Sequence, residues 1–68
     1  MNTDMLKGKI KEKAMSQSDV ASKIGLSLSR FNAKLNGTGG AEFTLGEVRS
    51  IKDVLHLDSE QVDSIFFS

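Results

Sequence analysis

Apolar residues recur at helical spacing along nearly the whole chain. Leu6, Ile10 and Ala14 lie four apart, as do Phe31 and Leu35. Val48, Ile51 and Leu55 step by three and then four, and Val62, Ile65 and Phe66 form a last set. Each group falls on one side of an α-helix, while the residues between them are charged or hydroxylic. Few β-branched residues alternate with polar ones, so no strand is supported.

The starts of the helices are written in a second pattern. Four times an apolar residue precedes a hydroxyl or carboxylate residue, with another apolar residue five positions after the first: Met15–Ser16–Val20, Leu26–Ser27–Phe31, Phe43–Thr44–Val48 and Leu57–Asp58–Val62. Each set is an N-cap inside a hydrophobic staple, which fixes where a helix begins and the angle at which the chain approaches it. Asp19, Glu47 and Gln61 stand three residues after their caps and approximate capping boxes; after Ser27 that place holds Arg30. With an initial helix over residues 3–14, the pattern predicts an all-α fold of five helices. The others fall near 17–24, 28–35, 45–56 and 59–67. Only 36–41, NGTGGA, reads as irregular.

Length and composition narrow the class. A chain of 68 residues has room for one small domain, 1–68, whose core supplies about 3–5 kcal/mol net. There is no cysteine, hence no disulfide or thiolate metal site, which fits a reducing cytoplasm. Apolar runs of two or three residues exclude a spanning helix, and the N-terminus lacks the stretch of a signal peptide. The expectation is a soluble cytoplasmic protein with no membrane partner.

Catalysis has little to work with. His56 is the sole histidine, at the end of the fourth predicted helix, where an imidazole suits the negative end of the helix dipole. The carboxylates belong mostly to caps and polar faces. Gly37-Thr38-Gly39-Gly40 lacks the Lys-Ser/Thr of a nucleotide loop. No enzyme activity, cofactor, metal or small-molecule ligand is expected.

Net charge is zero, but its distribution is uneven. Residues 1–36 carry seven cations against three carboxylates, and residues 37–68 carry two against six, so the halves are +4 and −4. Such asymmetry can orient a small protein on a polyanion while keeping it soluble.

The basic half contains Gln17–Asn36, QSDVASKIGLSLSRFNAKLN, which reads as two short helices around a turn at Gly25. Ala21 is small enough for two helices to cross closely, and Gly25 can take the positive φ of a sharp turn. At about 100° per residue, Phe31 and Leu35 mark the buried side of the second helix. Opposite them lie Ser29, Ala33 and Asn36, flanked by Asn32 and Arg30, with Lys34 further round and Leu28 near the core edge. A stripe of small residues can approach base edges. Asparagine can pair with adenine, serine with several bases, and an alanine methyl with a thymine methyl. Arg30 suits guanine or phosphate, and Lys34 suits phosphate. Leu28 reads either as a packing residue or as a thymine-methyl contact. No acidic residue occurs from 27 to 36.

With Gln17, Ala21, Gly25, Leu26, Phe31 and Leu35 at these spacings, the chain resembles the helix-turn-helix family of phage Cro proteins and lambda-type repressors. It looks most like the short Cro-like regulators of phages and prophages. The resemblance implies a five-helix lambda-repressor-like domain with its helix-turn-helix at 17–36, repressing transcription from operator DNA in a bacterial cytoplasm. It further implies that Gln17 bonds a backbone phosphate and buttresses the reading helix. Leu28, Ser29, Asn32, Ala33 and Asn36 would contact bases or the groove, and Ser27 and Lys34 would lie near phosphates. The glycine-rich loop after Asn36 departs from the family in lacking basic residues. Specific reading by so small a domain calls for a homodimer, for which Phe66 and Phe67 are the candidate contacts. The alternative is a protein-interaction module of the same fold, of antirepressor or antitoxin type, working through its acidic half and the Phe66/Phe67 end.

Overall fold

A computed structural model describes residues 1–67. Among them are five α-helices and no strand: α1 (Thr3–Glu12), α2 (Gln17–Lys23), α3 (Leu28–Asn36), α4 (Leu45–Leu55) and α5 (Ser59–Phe66), with a short 3₁₀ turn at Thr38–Gly40. α2 packs on α1, α3 and α4, and α5 closes the arrangement against α1 and α4.

The caps operate as their sequence pattern predicts. Ser16 with Asp19, Thr44 with Glu47, and Asp58 with Gln61 all form reciprocal capping boxes. Ser27 makes half of one: its hydroxyl accepts from the Arg30 N–H at 3.2 Å, and among the described residues no side chain returns the bond. α1 has a cap that the pattern did not flag, the Asn2 carboxamide oxygen, which accepts from the Met5 N–H at 3.0 Å.

Helix ends are joined to helix starts by a shared device. After α1, the Met15 N–H reaches the Ile10 carbonyl and the Ala14 N–H reaches Lys11. After α2, Leu26 reaches Ala21 and Gly25 reaches Ser22; after α4, Leu57 reaches Lys52 and His56 reaches Asp53. These paired bonds form the Schellman ending, which needs a left-handed residue between the helix and the closing apolar residue. Ala14 (φ 57°), Gly25 (φ 78°) and His56 (φ 53°) take that conformation. Met15, Leu26 and Leu57, which close these endings, are also the leading apolar residues of the next staples. One side chain therefore seals the end of one helix and sets the start of the next.

Two expectations are corrected by this device. Ala14 does not extend the buried face of α1; the helix stops at Glu12, and Ala14 is exposed in a left-handed turn. His56 is not the last residue of α4 but the left-handed residue beyond it. α5 likewise ends at Phe66, one residue short of the expected end.

The core takes side chains from every α-helix: Leu6 and Ile10, Val20 and Ala21, Phe31 and Leu35, Ile51 and Leu55, and Ile65, joined by Leu57 from the α4–α5 turn. Phe43, in the segment before α4, bridges two aromatic contacts. Its ring lies 5.5 Å from Phe31 at 59° and 6.0 Å from Phe66 at 89°, both within the range where ring quadrupoles attract. The N-terminus is tied down at both sides. The Asn2 N–H donates to the Ile65 carbonyl at 2.6 Å, and the Thr3 hydroxyl donates to the Leu35 carbonyl at 3.0 Å. Among the described residues no helix is long and apolar enough to cross a membrane.

Candidate nucleic-acid interface

The orientation of α3 follows from two anchors and one cap. Phe31 and Leu35 are 0% and 2% exposed, so the helix cannot rotate about its axis without withdrawing both from the core. Ser27 fixes its start, and Gly37, left-handed at φ 67°, closes its end with an N–H bond to the Ala33 carbonyl. α3 runs one residue further than its predicted end and so includes Asn36.

The residues singled out in sequence divide into three groups. Ser27, Leu28, Ser29, Arg30 and Asn36 are exposed. Gln17, Asn32 and Ala33 are partly covered. Lys34 stands apart: its ammonium donates to both carboxylate oxygens of Glu47, at 2.7 and 2.8 Å. The pair is largely sheltered, with side-chain exposures of 13% for Lys34 and 17% for Glu47. Sequence reasoning aims Lys34 at a phosphate, whereas in the folded chain it bonds across to the first turn of α4. The cause is the reach of a lysine on the flank of α3 meeting a carboxylate held in place by its own capping box. Arg30 makes no ion pair among the described residues, so it is the cation that α3 offers to solvent.

Leu28 is 43% exposed, although its place on the helical wheel is near the core edge. Side chains on a helix lean toward its N-terminus, and at the first position of α3 Leu28 has no preceding turn of its own helix to cover. Leu45, first in α4, is 72% exposed at the equivalent place. Sequence reading did not single it out, although its position directly after the Thr44 cap carries the same signal.

Two capping carboxylates are held below their ordinary pKa. The Ser16 backbone N–H, then its hydroxyl, hold Asp19 below the usual carboxylate range; slight burial opposes this and Lys23 adds to it. Burial pushes Glu47 up, but the Lys34 hydrogen bond, the Thr44 N–H and the charge of Lys34 outweigh it and leave the group lowered. Both carboxylates are therefore firmly ionised at neutral pH.

Near the C-terminal end of α3 lies a half-open groove of about 530 Å³, bordered by Leu35, Phe43, Phe66 and Phe67. Phe66 is partly covered and meets Phe43, whereas Phe67 is 61% exposed, which separates the roles of the two terminal phenylalanines. Among the described residues no group of three or more histidine, cysteine or carboxylate side chains is placed to hold a metal. Comparison with family models, with curated proteins and with solved structures finds no match to this chain.

Proposed function

We propose that α2 and α3 form a helix-turn-helix of the Cro and lambda-repressor kind, and that the protein regulates transcription by occupying operator DNA. The observation that carries this reading is the outer surface of α3. It is held outward by Phe31 and Leu35, presents Ser29, Arg30 and Asn36, and bears no carboxylate. A helix entering the major groove would expose its first turn to phosphates and base edges. The cap at Ser27 is the one of the four staple-flanked caps that lacks an acidic or amide partner, which removes a source of repulsion there.

In this arrangement α3 lies in the major groove and α2 crosses the backbone, with Gln17 and Ser27 near phosphates. Ser29, Asn32, Ala33 and Asn36 face the bases, Arg30 meets guanine or phosphate, and Leu28 reaches a thymine methyl from its exposed position. Asn32→Ala is expected to relax preference at one base position at a cost of about 1–3 kcal/mol, with the other positions unchanged. Site selection from random duplexes, repeated with the variant, checks this; an identical selected motif would remove Asn32 from the reading set. Failure of the wild type to show salt-sensitive, sequence-selective binding would instead favour the protein-interaction module.

A homodimer fits the small footprint of one domain, with half-site centres about 34 Å apart. Phe67, exposed beside the groove, is its proposed contact. Sedimentation equilibrium should show dimers that Phe67→Ser dissociates. A chain that stays monomeric both free and on DNA would remove the dimer.

A further inference from the structure

The Lys34–Glu47 pair joins the proposed reading helix to the next helix, and it places one of the few cations of α3 against a carboxylate. Glu47 is doubly held. Its backbone N–H donates to the Thr44 hydroxyl at 3.1 Å, and its Oε1 accepts from the Thr44 N–H at 2.9 Å. Nothing needs to move for it to receive both bonds from Lys34. Lys34, by contrast, sits on a flexible stem that would otherwise be free to sample solvent beside Asn36 and the glycine loop.

We propose that Glu47 is a positioning residue that withholds Lys34 from DNA phosphates, keeping sequence-independent affinity low while fixing α3 against α4. This rests on the DNA-binding reading above. Each phosphate neutralised by a cation releases counterions and steepens the salt dependence of binding by a slope of about 0.9. A cation already paired inside the protein releases none. The pair thus lowers non-specific attraction without touching the residues that face bases, and it does so on a helix that would otherwise bring two cations to the polyanion.

The assignment makes opposite predictions for the two partners. Glu47→Gln keeps an oxygen for the Thr44 N–H but loses the charge that holds Lys34. It should steepen the slope of log K against log salt by about 0.9 on a scrambled duplex, a further ~3.5-fold loss of affinity between about 50 and about 200 mM salt. Lys34→Met removes a cation that makes no phosphate contact, and should leave the slope at its wild-type value. The double variant should match Lys34→Met, which ties the gain in Glu47→Gln to the freed lysine. These titrations use the whole chain, with circular dichroism confirming that each variant is folded. A shallower slope in Lys34→Met would place Lys34 on a phosphate and overturn the inference. So would an unchanged slope in Glu47→Gln, or a steepening that survives in the double variant. A wild type that binds no duplex at all overturns the DNA-binding reading itself, a result visible before any variant is compared.

Discussion

Phe31→Ala should abolish the cooperative thermal transition of this protein. Phe31 is fully buried, and truncating such a ring costs about 3–5 kcal/mol through lost transfer energy and the cavity left behind. A chain of this length has a net stability of about the same size. Phe31 also ends the aromatic series that runs through Phe43 to Phe66, so its loss leaves Phe43 facing a void. Phe31→Leu supplies the control. It keeps apolar volume in the site and loses chiefly the ring–ring attraction, which is worth about 0.5–1.5 kcal/mol, so a shifted but cooperative melt is expected. Thermal melts followed by circular dichroism distinguish the two. If Phe31→Ala melted cooperatively within a few degrees of wild type, Phe31 would not be the anchor of α3.

The features most readily legible in sequence were those set by neighbours three to five residues apart. Ser16 with Asp19, Thr44 with Glu47 and Asp58 with Gln61 were readable as capping boxes because donor and acceptor belong to one helical turn. The break in that pattern at Ser27 was equally local, and it persists in the fold. Helix ends were less legible. Gly25 announces a left-handed turn, but Ala14 and His56 carry no such signature. Each adopts that conformation, at a cost of about 1–2 kcal/mol, because the Schellman bonds around it and the burial of the following apolar residue offset the strain.

Contacts distant in sequence were not legible at all. Lys34 and Glu47 are thirteen residues apart across a glycine-rich loop, and nothing in the spacing of either residue points to the other. The same holds for the Thr3 hydroxyl on the Leu35 carbonyl, thirty-two residues away. On α3 itself the wheel placed Ser29 and Asn36 outward correctly. It set Leu28 near the core edge with packing and a thymine-methyl contact both open, where the fold leaves it 43% exposed, and it matched Lys34 to a phosphate, where the fold pairs it with Glu47.

Ala21→Leu should destabilise the protein by about 1–3 kcal/mol and, on the function proposed above, weaken DNA binding beyond what that loss explains. Ala21 and Gly25 do different physical work where α2 and α3 meet, the first by its size and the second by its backbone conformation. Ala21 is 1% exposed within the core cluster, on the helix that packs against α1, α3 and α4. A leucine there must displace a neighbouring helix or adopt a strained rotamer. Gly25 is uncrowded: a Cβ built on it meets nothing within 4 Å, and only its φ of 78° argues against a side chain. Gly25→Ala should therefore cost about 1–2 kcal/mol of left-handed strain and leave the angle between α2 and α3 as it is. If the proposed function is right, the two variants separate in a duplex titration performed well below their melting temperatures. Gly25→Ala should bind as wild type does, whereas Ala21→Leu should bind more weakly, because α2 sets the angle at which α3 meets the groove. Equal affinities for the two folded variants would show that DNA binding does not depend on the packing at Ala21.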